Sequence, residues 1–291
     1  MNGLKRISIF LLTNFLVVLI ISVIMSFVGI PMDDLWGLLI LCAMFGMMGS
    51  FISLWLSKTI AKWSYKIRVI DGKTAVGREQ ELYNTIRQMA THLRIMTPQV
   101  GIYNAREVNA FATGASKDSA LIAFSSQLLN QLDDEEVYAV AAHEMSHIIN
   151  GDMVTMTLLT GVANTFVMFF ARVLAFAIDS SMRDGNRRGG LGFMGQWIMI
   201  ILLENVLMLL AYIPISAFSR WREYSADAGA ARITNPGQMI SALQKIEQYY
   251  FPEQKKDSFA LAKINNHHKA SLYATHPAIA DRIKRLQQMT V

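Results

Sequence analysis

His143, Glu144 and His147 stand in the order H-E-x-x-H, within the stretch Ala141-Ala142-His143-Glu144-Met145-Ser146-His147-Ile148-Ile149-Asn150-Gly151-Asp152. On an α-helix, positions i and i+4 lie one turn apart on the same face, so the two imidazoles can aim at one metal ion. Glu144, one residue further round, reaches a water on that ion rather than the ion. Zinc held by two histidines and one carboxylate keeps a fourth position open for such a water. The metal then acidifies the water and polarises a carbonyl, and the glutamate takes the proton. Asp133, Asp134, Glu135 and Glu136 put negative charge where a helix dipole favours it, so a helix from Asp133 to Asp152 is expected. Two histidines meeting by chance on a surface helix is the bland alternative. A third ligand downstream decides between the two.

That ligand lies in Arg222-Glu223-Tyr224-Ser225-Ala226-Asp227, where Glu223 and Asp227 are again i and i+4. Glu223 can complete the metal site. Asp227 can accept the second N–H of a metal-bound histidine and fix its tautomer. Alone, the segment reads as an exposed acidic face; with His143 and His147 it reads as a ligand helix.

The elements that must position these groups are unusual. The 291 residues are 53% hydrophobic and 17% charged, and the apolar residues gather in long runs. About 20 apolar residues cross a bilayer. Ile7 to Ile30 and Leu35 to Ser57 are long enough, and Gly46, Gly49, Ser50 and Ser53 in the second would let helices approach closely. Met153 to Ile178 and Leu191 to Ser219 form a second pair, interrupted by Arg172 and Glu204. Ionisable groups at such depth are usually buried between helices, and these two could pair. Lys5 and Arg6 precede the first run, and Lys58, Lys62, Lys66 and Arg68 follow the second, with only Asp33 and Asp34 charged between them. The positive-inside rule puts both termini and the metal motif in the cytoplasm. Arg183, Arg187 and Arg188, between the third and fourth runs, run against that rule.

The net charge of +5 is not gathered into a basic face with interleaved aromatics, so it belongs to membrane flanks and nucleic acid is not a partner. Cys42 is the one cysteine, which excludes a thiolate metal cluster. Between the membrane pairs, Leu82, Ile86, Met89 and Leu93 mark an amphipathic helix, and Pro98 to Tyr103 a strand. Strands near 108–113 and 119–124 flank a polar turn and suggest a hairpin. Its edge could pair with an extended peptide, although an ordinary sheet edge is the commoner case. Gln238 to Tyr250 reads as an amphipathic helix.

The early membrane pair, Asn109-Ala110-Phe111-Ala112-Thr113-Gly114, the run His143 to Asp152, the Glu223–Asp227 motif and Thr275-His276-Pro277 together resemble the bacterial HtpX family of heat-shock membrane metalloproteases. That family groups with the eukaryotic prenyl-protein endopeptidases among the gluzincins. The resemblance implies one zinc ion per chain on His143, His147 and Glu223, with Glu144 as general base. It also implies that Asn109, Ala110 and Phe111 line the substrate cleft, and that His276 and Arg282 lie near the scissile carbonyl and the Asp/Glu network. Tyr224-Ser225 departs from the Phe-His often found there, which removes a spare histidine but no ligand.

The expected fold is therefore a mainly α membrane protein with about four transmembrane helices and a cytoplasmic α+β gluzincin-type domain containing a small sheet. Residues 1–57 and 153–219 form the membrane pairs; 58–152 and 220–291 form the catalytic parts. The expected function is zinc-dependent endoproteolysis of damaged or misfolded membrane proteins at the bacterial inner membrane. A membrane scaffold or chaperone with structural zinc is the alternative.

Overall fold

The computed structural model describes residues 34–182, 190–251 and 273–289. The first apolar run, the arginines at 183, 187 and 188, and His267 and His268 lie outside those residues. The described chain forms two compact units, one of residues 34–51 with Leu158–Ile215, the other of Ile52–Thr157 with residues from Ser216 onward.

Among the described residues, three helices are long and apolar enough to cross a membrane: α1 (Leu35–Ser64), α5 (Asp152–Met182) and α6 (Gly192–Ile233), the last two numbered after the short helices described below. In the first unit α1 and α5 touch through small residues. A side chain at Gly46 would collide with the Thr165 backbone, and one at Gly161 with Met47. Ser50 is buried and donates to the Gly46 carbonyl. Gly49 meets nothing and Ser53 is exposed, so only Gly46 and Ser50 of the four expected small residues serve the contact. The pairing of Arg172 with Glu204 is present: Nη1 lies 2.6 Å from Oε1, with both side chains buried. Arg172 also donates to the Met168 carbonyl.

Two helices outrun the apolar stretches that announce them. α1 continues to Ser64 rather than stopping near Ser57, and Lys58 and Lys62 lie on it. α6 passes without a break from the fourth apolar run into the Glu223 segment. Hydropathy falls at both places, but neither has a helix stop: no glycine or proline intervenes between Ser219 and Glu223. Pro214, inside α6, leaves the helix continuous.

The second unit is built on a four-stranded sheet of order β1-β2-β4-β3: β1 (Arg68–Ile70), β2 (Gln99–Tyr103), β3 (Ala110–Gly114) and β4 (Ala120–Ser125). β2 and β4 are parallel; β1 pairs antiparallel with β2, and β3 with β4 in the expected hairpin. One face carries Ile70, Val100, Ile122 and Phe124, which join Leu82, Ile86 and Met89 of α2 (Arg78–His92) in the core. Also in that core are Leu128 of the short α3 (Ser126–Gln131) and Val137, Ala141 and Met145 of α4 (Asp134–Asn150). On the other face, the Tyr65 ring meets Tyr103 edge-to-face and Phe111 at a tilt, with ring centroids 5.2 and 5.3 Å apart. α7 (Pro236–Tyr250) opens on an Asn235 cap and packs on α4 and on α8 (Ile279–Gln287).

Candidate metal and active site

α4 begins on a reciprocal cap. Asp133 accepts from the Glu136 N–H, and the Glu136 side chain accepts from the Asp133 N–H. It ends at Gly151, whose φ of 69° places it in the left-handed region that glycine adopts without a Cβ penalty. Between these stops the helix is buried nearly all round, and His143, Glu144 and His147 are each less than a tenth exposed. α6 brings Glu223, itself 2% exposed, to its histidines.

The three expected ligands converge. His143 Nε2 and His147 Nε2 are 3.2 Å apart, and Glu223 lies 3.7 Å from the first and 3.4 Å from the second. One donor atom from each falls within 4.8 Å of the others. Each ring turns its other nitrogen to an aspartate. His143 Nδ1 is 3.0 Å from Asp227 Oδ1, a charge contact set off the axis of an N–H···O bond. His147 Nδ1 is 2.5 Å from Asp152 Oδ2, and the aspartate is buried.

Asp152 is the functional residue that sequence reasoning missed. It stands five residues after His147, off the i+4 stripe, and reaches back only because Gly151 ends the helix between them. The visible signal is the glycine stop followed at once by an acidic residue.

Arg282 clamps Asp227 with two hydrogen bonds, Nε to Oδ2 at 2.8 Å and Nη2 to Oδ1 at 2.6 Å, while its Nη1 lies 3.9 Å from Glu223. His276, in the turn before α8, places Nδ1 2.9 Å from Glu223 Oε2 and leaves most of its side chain exposed. Arg222 approaches Glu223 at 3.5 Å. Tyr224 lies under the Arg285 guanidinium, 3.7 Å from ring centroid to carbon, and Ser225 faces Asn150.

These contacts polarise the site. Burial alone would lower the His143 pKa, but the Asp227 and Glu223 carboxylates overcome it and push it up to about 9. His147 rises in the same way through Asp152 and Glu223, against burial. Burial would raise Glu223, yet His143, His147 and His276 hold it well below the usual carboxylate range. Asp227, opposed by burial but held by Arg282 and His143, falls to about 2.

The donor set fits a cation. Only one proton can sit between two ring nitrogens 3.2 Å apart, and the carboxylates of Glu144, Asp152, Glu223 and Asp227 outnumber the Arg282 and Arg222 charges beside them. A divalent ion among the three donors satisfies both nitrogens and the Glu223 carboxylate together.

Asn109, Ala110 and Phe111 enter β3, an edge strand among the described residues, which packs on α4. The Asn109 carbonyl accepts from the Ser125 N–H at 2.9 Å. Hydrogen-bonded pairs alternate along an antiparallel ladder, so Phe111 also spends its backbone on β4, and Ala110 and Ala112 direct N–H and C=O to the free edge.

A buried H-E-x-x-H helix with a glutamate from a second helix and an aspartate behind each histidine defines a metal-dependent hydrolase. The model of the family described as "Peptidase family M48" matches residues 77–290. "Protease HtpX" of Idiomarina loihiensis is 43% identical over 292 residues, covering 98% of this chain and 99% of its own. "Protease HtpX homolog" of Bacillus licheniformis is 41% identical over 298 residues, covering 97% and 99%. The crystal structure of S. mikatae Ste24p shares the fold, with a TM-score of 0.58 at 20% identity. The match covers 97% of this chain but 62% of that one. The chain belongs to peptidase family M48, among its HtpX proteases. It is a membrane-associated metalloendopeptidase acting on peptide or protein substrates.

Proposed function

We propose that the metal is zinc, one ion per chain, held by His143, His147 and Glu223. The observation that carries this reading is the convergence of those three buried donors within 4.8 Å. When bound, zinc polarises a peptide carbonyl and acidifies a water molecule. Glu144 takes the proton from the attacking water and delivers it to the leaving amine. Asp227 and Asp152 orient the two imidazoles, and Arg282 fixes Asp227. His276, the most exposed of the group, donates to the oxyanion that develops. An extended peptide pairs with the free edge of β3 through Ala110 and Ala112, with Asn109 and Phe111 setting the strand's entry and twist.

The substrates are damaged or misfolded membrane proteins, and the role is membrane protein quality control under stress. Supporting this are the names of the relatives and the three apolar helices. Residues 1–57 and 153–219 cross the bacterial inner membrane as two pairs, leaving 58–152 and 220–291, the active site and both termini in the cytoplasm. The basic residues after the second apolar run, Lys58, Lys62, Lys66 and Arg68, support that orientation. A scaffold with structural zinc needs four protein ligands; among the described residues three converge.

The test is a zinc-loaded Glu144→Gln protein. It should carry one zinc per chain and fail to cleave casein or a membrane-protein substrate, and a chelator should abolish wild-type cleavage. Cleavage by zinc-loaded Glu144→Gln would overturn the mechanism.

A further inference from the structure

We infer that Gly229, packed against Ser146, is a positioning residue that sets the distance between the two metal-bearing helices. Gly229 lies inside α6, where alanine would favour the helix more than glycine does. Its φ is not positive, so no backbone requirement calls for glycine there. What calls for it is space. A Cβ at 229 would lie 2.5 Å from Ser146 Oγ and 2.8 Å from Ser146 Cβ. Rotating the hydroxyl relieves the first contact but not the second. Ser146 cannot swing aside, because it is buried and its hydroxyl donates to the Ala142 carbonyl at 2.8 Å.

The place of this contact gives it a function. Ser146 stands three residues after His143 and one before His147; Gly229 stands two after Asp227 and six after Glu223. This contact between α4 and α6 thus falls within two turns of every donor. Carbon atoms rest about 3.5–4.0 Å apart, so a methyl group at 229 drives the helices apart by roughly 1 Å. Metal–ligand distances tolerate about 0.2 Å. Glu223 and Asp227 ride on α6 and would be withdrawn from His143 and His147 together.

This inference rests on the zinc reading above, and its test separates the two. Full-length protein in detergent is stripped of metal, and zinc affinity is measured by competition with a chromophoric chelator. The visible spectrum of the cobalt-substituted protein reports coordination geometry. Gly229→Ala should weaken zinc by about 10–100-fold, the size seen when groups behind metal ligands are disturbed, and should alter the cobalt spectrum. Ser146→Gly in the Gly229→Ala background clears the collision and should return affinity to within about threefold of wild type. A Gly229→Ala protein with wild-type affinity and cobalt spectrum overturns the inference, as does failure of Ser146→Gly to restore them. If Gly229→Ala does not fold, Ser146→Thr enlarges the same contact from α4; weaker zinc supports the inference and unchanged zinc overturns it. If wild type binds no zinc, the failure belongs to the zinc reading.

Discussion

Replacing Asp152 by asparagine keeps the side chain's shape and an oxygen facing His147, and removes only the charge. The contact is short, 2.5 Å, and buried. A hydrogen bond to a charged group contributes about 1.5–3 kcal/mol and a neutral one about 1 kcal/mol, so the substitution loses roughly 0.5–2 kcal/mol. At about 1.4 kcal/mol per decade, zinc should bind roughly 2–30-fold more weakly. Asp227→Asn should cost more, because Asp227 also neutralises Arg282 through two hydrogen bonds. Stranding a buried charge costs about 3–5 kcal/mol. The assay is zinc competition at pH 7 on purified full-length protein, with peptide hydrolysis at saturating zinc measured alongside. Asp152→Asn with wild-type affinity, or Asp152→Asn weaker than Asp227→Asn, would refute this account of the groups behind the histidines.

Two further outcomes follow from other parts of the molecule. In the first unit, Glu204→Gln breaks the buried ion pair with Arg172 and should lower stability by about 3–5 kcal/mol, read as thermal unfolding in detergent. Arg172→Met with Glu204→Leu should recover most of that loss. In metal-free protein, the His143 pKa is raised to about 9. Protonation of a group with a raised folded pKa stabilises fully below its unfolded value of about 6.5, and that stability is lost as pH rises through 9. Metal-free protein should therefore lose stability across that window. Zinc affinity should rise over the same window, because the imidazole must shed its proton to bind. Denaturation from pH 6 to 9.5, with and without zinc, reads both trends.

Much of the site is legible in the sequence because its chemistry obeys helical spacing. His143 and His147, and Glu223 and Asp227, are i,i+4 pairs, and each pair shares a face whatever the tertiary fold. The Arg172–Glu204 pair is legible for a different reason: charge is costly in an apolar run, so two opposite charges in neighbouring runs seek each other. Asp152 escapes because its placement depends on the turn at Gly151, not on a period. β1 escapes because three residues, Arg68 to Ile70, are too few to show alternation. The true ends of α1 and α6 escape because hydropathy marks where a helix leaves an apolar setting, not where its backbone stops. The Gly229–Ser146 contact escapes because the closeness of two residues 83 positions apart is a property of the packed state alone.

Anomalous X-ray diffraction at the zinc edge, on crystals of the full-length wild-type protein, addresses the central claim most directly. The account predicts one peak per chain at bonding distance from His143 Nε2, His147 Nε2 and the Glu223 carboxylate, with a fourth position filled by solvent or inhibitor. A peak bound elsewhere, or closed by a fourth protein ligand, would contradict it.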